Sequence, residues 1–182
     1  MTITPPVKLI LSMLAALHEN LNIDPQTARF VKAAVASDNT WALSWEFPEF
    51  FGEQVEPFPT VVTEVSNYLH MWTCIEKSLK FLPIQERIEV AQSAKGPTTF
   101  PGFDSEKESE HFSSAHFIIT HMRRFTNFNA IELDAHYPTL PRIESMYANF
   151  AMLQMQCNVR CLTKAELIAI FDVTKDTGIV RA

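Results

Sequence analysis

Most of the histidines lie between residues 100 and 150, and their neighbours raise the question of metal chemistry first. Glu108-x-x-His111 puts a carboxylate and an imidazole on one face of a helix, which is half of a carboxylate-bridged two-metal site. Such a site needs a second Glu-x-x-His, and the chain holds none. His111, His116 and His121 follow at steps of five, each turned about 140° from the last around a helix, so they cannot converge on one ion. Cys157 and Cys161 stand four apart and share a helix face if the helix runs that far. Two thiolates without a third or fourth ligand make a poor zinc site, and they read instead as small buried hydrophobes. The expectation is no metal and no cofactor. A Cys–His nucleophile pair that meets only in space stays open, although no local signature supports it.

A second group is Arg124, Asp134 and His136. Asp104 and Arg124 sit at opposite ends of one expected helix, some 30 Å apart, and cannot pair along it. Arg124 is expected to meet Asp134 or Glu144 in the following loop and helix. His136 would complete a titratable cluster beside a loop, where functional sites concentrate. The structural alternative is that Arg124 caps helix carbonyls and ties the loop down. These three residues are the candidate binding residues, and a hydrolase-like site built from them is the alternative functional reading.

The 182 residues suffice for one domain, and 47% apolar with 20% charged residues is the balance of a folded globule. Only 4 Gly stand against 11 Pro, which disfavours a hairpin-rich sheet protein. The net charge is −6 and no basic cluster exceeds Arg123–Arg124, so nucleic-acid binding is not expected. No apolar run reaches the ~18 residues of a membrane span, and no membrane association is expected. The apolar run 9–17 is followed by His18, Glu19 and Asn20 rather than by small cleavage-site residues. It is read as a helix of a mature cytoplasmic protein with reduced thiols.

The elements that must position these groups follow from periodicity. Val7, Ile10, Leu11, Leu14 and Leu17 step by three and four, the stripe of an amphipathic helix. Asp24 and Pro25 fit the N-cap and first position of a second helix reaching about residue 36. Trp41, Leu43, Trp45 and Phe47 alternate with smaller or polar residues. Period two allows a strand, paired with 98–100 or 178–180, but an extended or irregularly helical segment fits better. Val61, Val65, Tyr68, Trp72, Ile75, Leu79 and Leu82 form a seam over three heptads, on a helix about 33 Å long that Pro83 ends. A short helix 85–93 precedes the turn at Lys95-Gly96-Pro97. Ser105 and Glu108 fit a capping box opening a helix to about residue 126, with Asp104 adding charge at its positive end. Thr163 and Glu166 fit a second capping box, with Leu162 and Leu167 as its hydrophobic staple.

With these residues placed, the chain resembles the YfbU family of bacterial proteins. The resemblance is carried by VKLILSMLAAL, LHMWTCIEKS, GFDSEKESEH, RFTNF, HYPTLPRIESMYANF and LTKAELIAIF, and covers nearly all of residues 7–172. Gly102, Phe103, Asp104, Glu108, Arg124 and Phe125 are positions it shares with the family. Where the family often has Asn residues after Gly-Phe-Asp and an Asn-Ser-His turn, this chain has Ser105-Glu106-Lys107 and Asp134-Ala135-His136. The resemblance implies an all-helical cytoplasmic homo-oligomer and brings no activity with it.

The expectation is thus an all-α fold, a single domain over 1–172 with six to eight helices in bundle-like or orthogonal packing. Residues 173–182 read as a weakly ordered tail, and 41–58 as a subunit contact. The functional expectation is a non-catalytic, homo-oligomeric protein that binds a protein or a small ligand.

Overall fold

The computed structural model describes residues 3–51, 57–129, 131–157 and 160–173, with side chains of 154–157 excepted. The tail 174–182, including the strand partner considered at 178–180, lies outside the described residues, as does the side chain of Cys157. The described chain is all-α. Its helices are α1 (Pro5–Asn20), α2 (Pro25–Ala36), α3 (Trp41–Glu46), α4 (Thr60–Phe81), α5 (Ile84–Ser93), α6 (Ser109–His116), α7 (Leu140–Cys157) and α8 (Lys164–Phe171).

Helix α4 is the central post. Val62, Val65, Tyr68, Leu69, Met71, Trp72 and Ile75 are all buried, a face much wider than a two-position seam. It packs on α6 and α7, and α8 closes the far side between α5 and α7. Around Trp72 the rings of Phe100 and Phe171 stand 6.1 and 6.2 Å away, and Phe100 continues to Phe103 and Phe128. Full burial of aromatic side chains of this size is the largest favourable contribution a core residue makes.

Helices α1 and α2 fold back on each other and join the rest through α2, which touches α3. The capping of α2 uses Asp24, whose carboxylate accepts from Thr27 N. Helix α1 departs from expectation. The stripe Val7, Ile10, Leu14 and Leu17 faces outward and is about half exposed, while Leu11 and Ala15 turn inward.

The alternating segment 41–47 is helix, not strand. Ala42 N and Leu43 N bond back to Asn39 O and Thr40 O, and Trp41, Ala42, Leu43 and Ser44 are all buried. When the first turn of a short helix is covered on every face, alternation along it carries no information. Its proposed strand partner is engaged elsewhere: Phe100 N donates to Glu76 Oε1 at 3.1 Å. Much of the aromatic surface expected for a subunit contact lies inside the chain, with Phe50 left 80% exposed.

The helix expected over 105–126 is shorter and interrupted. It begins at Ser109, passes into a π-helical turn at Phe117–His121, and ends there. Met122 N bonds to Phe117 O and Arg124 N to Ile118 O, with Arg123 left-handed at φ 52°. The Arg124–Ile118 closure, with a left-handed residue just before its end, stops the helix as a Schellman motif does, one residue wider because it follows a π-turn.

Candidate functional site

The first polar cluster gathers at the junction of residues 102–108 with 133–140. Gly102 has φ +81°, and Phe103 N donates to Leu133 O while Ala135 N donates to Phe103 O. A Cβ at Gly102 would stand 2.1 Å from Leu133 O, so the close approach of the two loops requires glycine.

The expected Ser105–Glu108 capping box is replaced by a different arrangement. The Asp104 carboxylate accepts from Glu106 N and Lys107 N at 2.9 and 3.0 Å, an Asx-type turn one residue earlier. Glu108 is buried, and its carboxylate accepts from Asp104 N at 3.0 Å, Thr139 N at 2.8 Å and Leu140 N at 2.7 Å. It therefore satisfies the orphan amides at the start of α7 rather than those of its own helix. The Thr139 hydroxyl donates to Gly102 O at 2.7 Å.

The Ser105 hydroxyl donates to Asp134, and His136 Nδ1 lies 3.4 Å from the same carboxylate oxygen. The Ser105 hydroxyl, and after it the His136 amide, hold Asp134 below the usual carboxylate range. Serine and histidine both meet the aspartate, so the hydroxyl is not presented to the imidazole as a nucleophile's would be. Arg124 is not part of this group. It donates to Glu46 Oε2 at 3.4 Å and its guanidinium lies 5.4 Å from the Trp45 ring, which ties the end of the π-turn to α3. Arg124, Asp134 and His136 thus fall into two separate structural ties.

At α8, Thr163 and Glu166 exchange their reciprocal bonds, and Arg160 adds a 2.8 Å bond to the Glu166 carboxylate. Arg160 holds that carboxyl down at about 2.

A pairing the sequence does not signal joins α4 to α6. His111 Nε2 lies 3.1 Å from Glu64 Oε2, under the rings of Phe103 and Tyr68. Burial, and then Glu64, Glu144 and Tyr147, push the Tyr68 hydroxyl well above its ordinary range. His111 is thus taken by a carboxylate 47 positions away, not by Glu108. Among the described residues no three His, Cys, Asp or Glu side chains are grouped so as to hold a metal ion. Nor is any described helix long and apolar enough to cross a membrane.

A cleft of about 380 Å³ opens between α2, the end of α3 and the π-turn. Phe30, Phe47 and Met122 give it an apolar wall, the two rings meeting edge to face at 5.9 Å. Gln26, Thr27, Arg29, Thr120, His121 and Arg123 supply donors. Glu46 brings one negative charge, which Arg124 engages from outside. Arg29 reaches Glu19 with its Nε at 3.2 Å. Arg123 makes no hydrogen bond or ion pair among the described residues, so its guanidinium is open to a ligand. Burial, and then the neighbouring His116, lower the pKa of His121 from its ordinary value and so disfavour its charged form. The π-turn is what aims these side chains: wider than α-helix, it turns Thr120 and His121 toward α2 just before the chain reverses. None of the cleft residues belongs to the sequence-derived candidate set. Arg29 and Arg123 are 94 positions apart with no motif linking them.

Neither a curated protein nor a solved structure matches the chain. The YfbU domain model matches residues 1–173, in keeping with the Gly102–Glu108 junction and the helical order just described, and the chain belongs to the YfbU family.

Proposed function

We propose that this YfbU-family chain is a non-catalytic, homo-oligomeric binding module, and that the cleft between α2, α3 and the π-turn takes a small organic anion with an apolar body. The observation that carries this reading is the open Arg123 guanidinium in a cleft that Arg29, Phe30 and Phe47 also line. Two guanidiniums beside aromatic rings favour a carboxylate or phosphate attached to a flat or apolar frame. The groups that suggested a hydrolase are supported as structural instead, since Asp134 and Arg124 hold different partners.

A thermal-shift panel of organic anions, organic cations and divalent metals tests this. A ligand at 100 times its Kd adds about 2.7 kcal/mol of stability. For a chain of this size that is a Tm rise of about 5–10 °C. A rise with anions carrying an apolar body supports the cleft. A response confined to cations or metals, or none across the panel, contradicts it.

A further inference from the structure

Helix α1 presents its apolar residues to solvent. Val7, Ile10, Leu14, Leu17 and the following Leu21 are 43, 55, 50, 52 and 59% exposed, and Met13 beside them is 65% exposed. Their steps of three and four residues are those of the two inward positions of a heptad repeat. The charges of the helix turn the other way: Lys8 pairs with Asp38, and Glu19 with Arg29 and Lys32. The outer stripe is therefore uncharged along its whole length. Side chains of this size, half exposed, leave roughly 500–700 Å² of apolar surface open. That is at or above the largest patch of an ordinary monomer, and close to the ~800 Å² each partner gives to a stable interface.

We propose that two copies of this chain associate through α1, the stripe from Val7 to Leu21 of one packing against the same stripe of the other about a two-fold axis near Leu14. An uncharged, evenly spaced stripe complements itself. It offers a charged partner nothing to pair with. A membrane-surface helix carries a strongly basic polar face, whereas the lysine here is held by Asp38. With α1 backed by α2, the pair forms a four-helix arrangement in which the seam gains the partner it lacks among the described residues. The inference rests on the homo-oligomeric part of the function proposed above and names its surface.

The test is the mass of the full chain in solution, by sedimentation, for the wild type and for Leu14→Glu with Leu17→Glu. Both side chains are half exposed within the chain, so the folded protomer tolerates the change, and circular dichroism checks this. Leu14→Ser with Leu17→Ser serves if the charged variant does not fold. The expected result is a wild-type dimer or larger, with dissociation raised on the order of 100-fold in the variant. Leu14→Cys should in addition form a disulfide between copies on mild oxidation. A wild-type oligomer that the substitutions leave intact overturns the seam and spares the homo-oligomeric reading. A wild-type monomer at micromolar concentration overturns both.

Discussion

The carboxylate of Glu108 lies 2.8 Å from the backbone nitrogen of Thr139, 31 residues on, and with it one side chain closes the start of the helix that begins at the next residue, Leu140. The same carboxylate also takes Leu140 N and Asp104 N. A single buried acid thus welds the Gly102–Glu108 turn to the entry of α7. Three amides would be left without acceptors if it were removed.

Glu108→Gln should destabilise the protein by about 2–4 kcal/mol, because the amide nitrogen confronts donors where the carboxylate accepted them. Urea denaturation measures it. A loss under about 0.5 kcal/mol would mean that these bonds contribute nothing net.

Gly102→Ala should cost at least about 2 kcal/mol, from positive φ and from the collision of the new Cβ with Leu133 O. Gly96→Ala is the control. Its Cβ meets only the flexible end of Arg142, at 3.0 Å or beyond, and a small effect is expected. Comparable losses at both positions in thermal melts would contradict the assignment.

Glu166 makes stability depend on acid. Its folded pKa, at about 2, is below the ordinary 4.5, chiefly because of Arg160. The unfolded chain therefore binds the proton first. The contribution is present in full above pH 4.5 and is lost as pH falls from there toward 2. Glu166→Gln should lower Tm at pH 7 and flatten its dependence between pH 5 and 2. A variant whose Tm falls with acid as steeply as the wild type's would rule this out.

The all-α architecture was legible because long helices write their burial into period. Val65, Tyr68, Trp72 and Ile75 recur on α4 as the core requires. Period alone does not say which way a stripe faces, and α1 shows this: its stripe is as regular as that of α4 yet opens to solvent. Segment 41–47, whose alternation allowed a strand although an extended or irregularly helical segment fitted better, is helical over Trp41–Glu46, and its first turn, buried on every side, has no polar face to set a period. The Gly102–Glu108 junction was visible as punctuation, but its partners were not. Glu108 reaches Thr139 and Ser105 reaches Asp134, pairings that local rules for caps cannot supply. The cleft left no sequence signal because it depends on a π-turn that brings His121 and Arg123 beside Arg29 and Phe30.

The most direct measurement of the binding role is calorimetric titration of an aromatic carboxylate or phosphate, chosen as the best anion in the thermal-shift panel, into wild type and Arg123→Ala. Arg123 is exposed and makes no bond among the described residues, so its loss should leave folding unchanged. The expected outcome is affinity lowered about 10- to 100-fold, the weight of a charged hydrogen bond. Equal affinity in the two proteins would place the anion elsewhere and remove the cleft from the account.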